Sequence, residues 1–419
     1  MSKLDELIER LCPDGVEYKK IGEIFEVITD YTAAGSFADI AKNVKYIKIK
    51  DYAQLIRTTD IKSKFIDENN FIYVDENAFN YLWRVNLSED SIVMPNVGNC
   101  GEVYYVEPNK LPNRNNVLGP NAILLKTKKY NLKFLYYSLD TLSFKKELSK
   151  ITSSTGQSKF NKTNLKELLL PVPPLEVQCE IVRILDNFTL LSAELSAELK
   201  ARKGQFSYYR ESLINSKNNI TRLDDVVDIY LGLTHTPKYV EKGVKFISAQ
   251  NTSKDYLDLE NVKYISREEY DSITENAKPK KGDVLFTRVG SNLGHPVIVD
   301  TDEELCMFVS LGYLRIKDNN RVLNSYIKHW INTQNFWEQV RKYVHGSAKV
   351  NLNTGWLCKF EISIPSISEQ KRIINILDKF EKLCNDISEG LPAEIESRRK
   401  QYEYYRDRLL TFKELKKEV

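Results

Sequence analysis

The chain contains one stretch twice, as Leu168-Leu-Leu-Pro-Val-Pro-Pro-Leu-Glu-Val-Gln-Cys-Glu-Ile-Val-Arg-Ile-Leu-Asp-Asn-Phe188 and as Phe360-Glu-Ile-Ser-Ile-Pro-Ser-Ile-Ser-Glu-Gln-Lys-Arg-Ile-Ile-Asn-Ile-Leu-Asp-Lys-Phe380. The copies lie a constant 192 positions apart, as from Pro173 to Pro365. In both, a proline-containing entry leads into apolar residues three or four positions apart, which is typical of an amphipathic helix. The repeat therefore predicts a duplicated unit that ends in a helix.

A second recurrence lies further along each helix. The triplet Tyr208-Tyr-Arg210 returns as Tyr404-Tyr-Arg406, 196 positions later. Solenoid repeats are about 20–50 residues long, so this period excludes a solenoid. Two similar halves in one chain predict a pseudo-two-fold molecule, which suits a target that also comes in two halves.

The composition is typical of a soluble, cytoplasmic protein of two to three domains. The 419 residues are 42% hydrophobic and 28% charged, and no apolar run approaches the roughly 18–20 residues that span a bilayer. The first ten residues are charged throughout, unlike a signal peptide. Six isolated cysteines and four histidines argue against a metal site or a disulfide framework. A net charge of only +3 means that any binding of DNA depends on local basic loops or on a basic partner.

Two globular units and two helical segments are predicted. Residues 1–175 form the first unit and residues 218–365 the second, and residues 176–217 and 366–419 form long helices. The first unit contains runs that are typical of strands, at Val44–Ile49, Phe71–Val74, Ser91–Met94, Val103–Val106 and Ala122–Leu125. A helix is predicted in each unit, from Leu132 to Leu148 and from Tyr326 to Tyr343. The segment Lys242–Ile247 is interpreted as the counterpart of Lys42–Ile47.

Each long helix carries one apolar stripe that it cannot bury alone. We therefore expect the two helices to pair in an antiparallel coiled coil, the alternative being that each packs on its own globular unit. Gly390 and Pro392 predict a kink or a break in the second helix. The residues expected to pair the helices or to dock a partner are Ile181, Leu185, Phe188, Tyr209, Ile373, Leu377, Phe380 and Tyr405. The predicted fold class is α+β.

The sequence offers no convincing catalytic motif. A phosphate-binding Gly-x-x-x-x-Gly-Lys-Ser/Thr loop, a Gly-x-Ser-x-Gly elbow and the Asn/Asp-Pro-Pro-Tyr/Phe tetrad of amino-methyltransferases are all absent from it. Pro13-Asp14 followed by Glu17-Tyr-Lys19 resembles a nuclease motif, but the spacing is too tight for two adjacent strands. The chain is therefore predicted to be non-catalytic and to bind no metal.

Two pairs of loops are the candidate DNA-binding sites. Pro95–Gly101 corresponds to Thr287–Gly294, and Ser153–Asn161 corresponds to Val344–Asn351; glycines there permit backbone amides to approach a phosphate. Plain hairpin turns and a capped helix entry are the alternative interpretations. The candidate side chains are Asn96, Asn99, Gln157, Lys159, Asn161, Arg288, Ser291, Asn292, Ser347, Lys349 and Asn351, with Lys159 matched to Lys349 and Asn161 to Asn351. Weaker candidates at the ends of a supposedly matched strand are Lys48, Lys50, Gln250 and Asn251.

Taken together, the duplication, the Pro-rich entries, the Glu-Gln helix start of the second copy and the Tyr-Tyr-Arg helix ends resemble the specificity (S) subunit of type I restriction-modification systems over essentially the whole chain. This resemblance implies two target recognition domains, each reading half of a bipartite DNA site, with the long helices as spacers that dock methyltransferase (M) subunits. It also implies restriction (R) subunits as partners. S-adenosylmethionine, ATP and Mg are then expected on the partner subunits and none of them on this chain.

Other functions remain open at this point. The chain is alternatively a scaffold that binds only proteins, or a stand-alone nuclease that uses Pro13–Lys19. The sequence does not separate a restricting system from one that only modifies DNA.

Overall fold

The computed structural model describes residues 2–153, 156–215, 219–290, 292–343, 351–386 and 389–415. It divides into two compact units. Unit 1 comprises Met1–Ala193 with Glu396–Val419, and unit 2 comprises Glu194–Ile395. Each unit thus combines one globular domain with parts of both helical segments.

Unit 1 builds its globular domain from short strands and short helices. Its strands are β1 (Glu17–Lys20), β2 (Val27–Asp30), β3 (Ala53–Ile56), β4 (Ile72–Val74), β5 (Ser91–Pro95), β6 (Tyr104–Val106), β7 (Asn116–Leu118), β8 (Ala122–Lys126) and β9 (Leu169–Val172). Its helices are α1 (Lys3–Leu11), α2 (Ile21–Ile24), α3 (Phe37–Asn43), α4 (Thr58–Lys62), α5 (Glu76–Tyr81), α6 (Leu132–Leu139), α7 (Leu142–Ile151) and α8 (Lys162–Glu167), followed by α9 (Leu175–Ile214), which continues into unit 2.

The central sheet of unit 1 separates two hydrophobic cores. Its strand order is β2-β8-β5-β6, and every neighbouring pair is antiparallel. Side chains alternate across a strand, so Ile92 and Met94 of β5 enter the core next to the helices while Val93 enters the core on the other face. That second core also covers a sheet of order β4-β3-β7, in which β3 and β7 are parallel.

Unit 2 repeats this arrangement. Its strands are β10 (Ile220–Arg222), β11 (Val227–Leu231), β12 (Tyr239–Val240), β13 (Val244–Ile247), β14 (Lys263–Ile265), β15 (Val284–Thr287), β16 (Pro296–Ile298), β17 (Leu305–Met307), β18 (Leu311–Ile316) and β19 (Glu361–Ser363). The helices after α9 are α10 (Arg267–Ser272), α11 (Asn324–Ile331), α12 (Gln334–Tyr343), α13 (Thr354–Leu357), α14 (Ile367–Asn385) and α15 (Leu391–Leu409). The order β11-β18-β15-β16 matches the central sheet of unit 1, and β13 runs parallel to β17 as β3 does to β7. The predicted duplication and α+β class are confirmed.

The predicted helices are interrupted at matching places. α6 and α7 replace one helix over Leu132–Leu148, because the Thr141 hydroxyl accepts a hydrogen bond from the Phe144 amide and begins a new helix. α11 and α12 are divided in the same way at Thr333. The predicted break at Gly390 and Pro392 is confirmed, since α14 ends at Asn385 and α15 begins at Leu391.

One predicted strand is wrong. Within Val44–Ile49, only Ile47 makes an isolated bridge, to Tyr73, and Ile49 is 79% exposed. The alternation of apolar and basic residues there is typical of a strand, but Val44 enters a core while Tyr46 and Ile49 are exposed. The strand equivalent to β13 is instead β3, since each pairs in parallel with one neighbour and antiparallel with another. The match of Lys42–Ile47 with Lys242–Ile247 is therefore wrong.

Within the part of the chain that the structure describes, no helix has both the length and the apolar character needed to cross a membrane.

Candidate nucleic-acid interface

In unit 1 the two loops that the sequence singled out lie side by side. They are the loop after β5 and the loop before α8. The amide of Gly98 donates to the carbonyl of Ser158 at 2.8 Å, and the amide of Phe160 donates to the carbonyl of Asn96 at 3.1 Å. We call this ladder of two loops the unit 1 loop pair. These two backbone hydrogen bonds hold the loops against each other.

Three predicted DNA-binding side chains are exposed on the unit 1 loop pair, namely Asn99, Gln157 and Lys159. Gly98 lies between them with φ +84°, and a Cβ built on it would lie 3.2 Å from Nε2 of Gln157. Glycine at position 98 therefore permits both the left-handed backbone and the close approach of the two loops. The surface offers two amides and one ammonium group, which suit base edges and phosphates.

Asn96 and Asn161 contact the protein backbone instead. The Asn96 side-chain nitrogen donates to the carbonyl of Phe160 at 3.4 Å, and its buried oxygen has no partner within the described residues. The Asn161 side-chain oxygen caps α8 by accepting from the Asn164 amide at 2.8 Å. The capped helix entry weighed above is thus present, and only the Asn161 side-chain nitrogen remains a candidate DNA contact.

Among the described residues, unit 2 repeats one backbone hydrogen bond of this ladder and carries different side chains. The amide of Leu352 donates to the carbonyl of Arg288 at 3.2 Å, and Nε of Arg288 returns a bond to the Leu352 carbonyl at 3.0 Å. Burial of this guanidinium lowers the pKa of Arg288. Asn292 is exposed, and Asn351 is half-buried, its side-chain oxygen having no hydrogen-bond partner among the residues that the structure describes. The remaining candidates Ser291, Ser347 and Lys349 lie outside the described residues.

The ladders correct the sequence register by two positions. Phe160 and Leu352 occupy equivalent places, because each donates its amide to the residue that follows the equivalent strand. The next residues, Asn161 and Asn353, each cap a short helix, α8 and α13. Asn161 therefore corresponds to Asn353, and Lys159 corresponds to Asn351. The match of Asn161 with Asn351, and with it that of Lys159 with Lys349, is therefore wrong. The mistake arose because both copies contain a lysine and an asparagine two positions apart.

The candidates at the ends of the supposedly matched strand do not occupy equivalent places in the two units. Lys48 and Lys50 are exposed, and they do not follow the strand equivalent to the one before Gln250 and Asn251. Asn251 is only 7% exposed, and its side chain binds the Ser248 amide and the Asp258 carbonyl, so it holds a turn. Its assignment as a DNA contact is wrong in this geometry. Gln250 is exposed and stays a candidate.

Basic side chains near the unit 1 loop pair escaped the sequence analysis. Lys162, the first residue of α8, lies 2.9 Å from Asp30 at the end of β2. Lys62 of α4 lies 2.5 Å from Glu102, directly after the first loop. These ion pairs connect the loops to β2 and α4. Lysines of this kind are common throughout the chain, and only the folded structure distinguishes these two.

Within each unit the long helices pack on the globular domain and also contact each other, so both interpretations of their apolar stripes hold. Ile181 and Leu185 of α9 are fully buried in the helix-side core of unit 1, and Ile373 and Leu377 of α14 are equally buried in unit 2. Aromatic residues then join helix to helix. In unit 1 Phe188 stacks on Tyr405 at 5.6 Å between ring centroids, and in unit 2 Tyr209 stacks on Phe380 at the same distance.

A recurring glutamine fixes the start of each helix to its own domain. The Gln178 oxygen accepts from the Asn131 amide at 3.0 Å, and its nitrogen donates to the Pro173 carbonyl at 2.8 Å. Gln370 repeats both bonds, to the Leu323 amide at 3.0 Å and the Pro365 carbonyl at 2.9 Å. The glutamine recurs because an amide offers both an acceptor and donors to buried backbone groups.

The two units anchor their helices with different side chains. In unit 1 the Tyr137 hydroxyl donates to Asp186 at 2.6 Å, and burial raises the pKa of Tyr137. In unit 2 His329 occupies that position, with Nε2 2.7 Å from Asp378. His329, Asp378 and Glu381 come close enough to share an ion, but the Lys328 ammonium already lies 2.7 Å from Glu381. That positive charge opposes a metal ion there.

Comparisons with known proteins agree with these features. The family model for the type I restriction modification DNA specificity domain matches the chain twice, over residues 13–202 and 215–397. A putative type I restriction enzyme specificity subunit of Haemophilus influenzae is 33% identical over 302 residues, which are 68% of this chain and 73% of that protein. The EcoR124I/EcoR124II specificity subunit of Escherichia coli is 32% identical over 295 residues, 67% of this chain and 71% of that protein.

A solved structure shares the fold. One chain in a structure that describes complex assembly and conformational transition of the type I R-M system superposes with a TM-score of 0.64. The alignment covers 96% of this chain and 98% of that chain, at 13% identity.

Proposed function

The chain belongs to the family of type I restriction-modification specificity subunits, and on that premise we propose that it reads a bipartite DNA site with one globular domain for each half. The observation that carries this proposal is the repeated loop ladder. Both units place a glycine-containing loop beside the entry to a short helix, and each displays different side chains on it. A common scaffold with different side chains suits two different half-sites.

The unit 1 loop pair supplies the chemistry for this role. Lys159 is exposed and able to neutralise a phosphate, while Asn99 and Gln157 offer the paired donor and acceptor that recognise adenine. In unit 2 Arg288 holds the backbone of the neighbouring loop, and the exposed amides among the described candidates are those of Gln250 and Asn292. The two units thus present unequal surfaces.

The remaining roles fall to partner subunits. The exposed faces of α9, α14 and α15 dock methyltransferase subunits, and restriction subunits join that complex. S-adenosylmethionine is bound by the methyltransferase subunits, and ATP and Mg serve the restriction subunits. This chain then contributes recognition without catalysis, and it acts in the cytoplasm, where the DNA lies.

Two loop variants test the proposal in the complex with the methyltransferase subunits. Lys159→Ala should weaken DNA binding with little change in the preferred sequence, and reduce the slope of log affinity against log salt by about 0.9. Asn99→Ala should instead relax the preference at one position of one half-site. Both side chains are exposed, so neither substitution disturbs a core.

The matched control is Arg10→Ala on α1, an exposed arginine outside the loops. If the complexes that contain the three variants methylate the same sites and their DNA affinities have the same salt dependence, the loops do not bind DNA. A scaffold that binds only proteins would give that result.

A further inference from the structure

A short turn of unit 1 exposes a tryptophan and an arginine next to each other. The sequence there is Leu82-Trp-Arg-Val85, and Trp83–Val85 form a 3-10 turn after α5. Leu82 and Val85 are fully buried, whereas Trp83 is 64% exposed and Arg84 is exposed as well. The buried residues on either side direct both side chains to the surface. The exposed indole offers a flat apolar face with a polar N–H, the kind of side chain that is enriched at interfaces.

The arginine is held in place without an acidic partner. Its guanidinium lies 4.8 Å from the centre of the Trp83 ring, and Nη1 donates to the Ala33 carbonyl at 2.8 Å. Within the described residues Arg84 forms no ion pair, so its full positive charge faces solvent. A stacked, pre-positioned guanidinium loses little conformational freedom when it binds an anion.

Contacts on one surface link this turn to the unit 1 loop pair. Ala33 belongs to a 3-10 turn, Tyr31–Ala34, that directly follows β2. Asp30 at the end of β2 pairs with Lys162, which follows the loop before α8. Arg84 thus lies one short turn from the residues that hold the loop pair. The Asp30 carboxylate is neutralised by Lys162, whereas Arg84 and Lys159 are both exposed cations.

Unit 2 lacks the same pair. The equivalent turn is Glu275–Ala277 after α10, with buried Ala277 in the place of Val85. Glu275 stands where unit 1 has Trp83, and Asn276 stands where it has Arg84. Glu275 pairs with Lys278 and Lys280, so this turn presents an ion pair in place of a stacked guanidinium.

We propose that Trp83 and Arg84 form a further DNA contact that belongs to the first half-site alone. Arg84 binds a backbone phosphate, and the Trp83 indole packs against the adjoining deoxyribose. DNA is the occupant that fits, because the pair is cationic and connects, through Ala33 and the end of β2, to the contacts that hold the loop pair. The inference rests on the proposed function, whose loop residues are tested separately.

The test uses the full chain in complex with its methyltransferase subunits and a duplex that carries the mapped site. Phosphate-ethylation interference and salt-dependent binding are measured for Arg84→Ala, Trp83→Ala and the control Arg10→Ala. Arg84→Ala should lower the salt slope by about 0.9, so that its affinity deficit shrinks about 3.5-fold between 50 and 200 mM salt. It should remove interference at one phosphate in the half-site read by unit 1 and leave the other half unchanged.

A gain of function complements this loss. Asn276→Arg combined with Glu275→Trp should add a phosphate contact in the second half-site. If Arg84→Ala behaves like Arg10→Ala while Lys159→Ala weakens binding, the inference is wrong and the proposed function stands. If neither Arg84→Ala nor Lys159→Ala weakens binding, both are wrong.

Discussion

Asp140→Asn should loosen the C-terminal helix of unit 1. Arg406 of α15 is buried, with a side chain only 6% exposed, and it donates hydrogen bonds to Asp140 and to Asp407, the latter at 2.9 and 3.0 Å. Burial of the guanidinium lowers its pKa, but the charges of Asp140 and Asp407 outweigh this, and the pKa of Arg406 is raised. The pair therefore ties α15 to the end of α6.

The structure sets the size of the effect. Breaking a fully buried ion pair costs about 3–5 kcal/mol. Here Asp140 is 25% exposed and Asp407 remains bonded, so about 2 kcal/mol is expected. A loss of that size lowers the protection of amide hydrogens in α15 about 30-fold.

Unit 2 supplies the matched variant. Arg210 occupies the place of Arg406, but Asn332 stands where unit 1 has Asp140. Burial lowers the pKa of Arg210, and its buried Nε has no hydrogen-bond partner within the described residues. Asn332→Asp should therefore increase protection in the last turns of α9 while Asp140→Asn reduces it in α15.

Hydrogen exchange followed by mass spectrometry measures both segments in one experiment. The reasoning is refuted if Asp140→Asn leaves exchange in Glu396–Leu409 unchanged, or if it speeds exchange equally in α4 and α5, which are far from Arg406 in the sequence and belong to the other core.

Three further changes test other parts of the structure. Gln370→Ala removes three hydrogen bonds to buried backbone groups and should lower the free energy of unfolding by about 3 kcal/mol. Urea unfolding followed by the fluorescence of the unit 2 tryptophans measures this loss, and a loss no larger than that of an exposed substitution would contradict it. Hydrogen bonds from Arg183 and then Lys3 lower the pKa of Glu180 to about 2, so its contribution is complete above the usual carboxyl pKa and is lost as the pH falls towards 2. Glu180→Gln should therefore flatten the acid limb of the stability profile, and an unchanged limb would exclude this role. Deleting one turn of α9, residues 194–197, shortens this helix by about 6 Å, which is roughly two base-pair steps. The spacer of the methylated site should become shorter while both half-sites stay the same.

The repeat predicted the architecture because its recurring residues make the same packing contacts and hydrogen bonds in both units. Gln178 and Gln370 recur since the same backbone groups need the same amide, and Ile181 and Ile373 recur since they enter equivalent cores. The run Val44–Ile49 was mistaken for a strand because its apolar and basic residues alternate, although Val44 enters a core while Tyr46 and Ile49 are exposed. Local pattern does not contain that information.

The interface was predicted only in part. Glycines and amides located the loop pair, but the two-residue error at Asn351 arose because a lysine and an asparagine recur at the same spacing by coincidence. Asn251 has the chemistry of a base reader, and only its burial shows that it holds a turn. Trp83 escaped notice because a tryptophan next to buried residues is normally part of a core.

The role of this chain in DNA recognition is tested most directly by a map of DNA methylation in cells that express the methyltransferase subunits with and without it. One asymmetric bipartite motif should be methylated only when the chain is present. A methylation map that is identical in both cells, with the methyltransferase active, would contradict it.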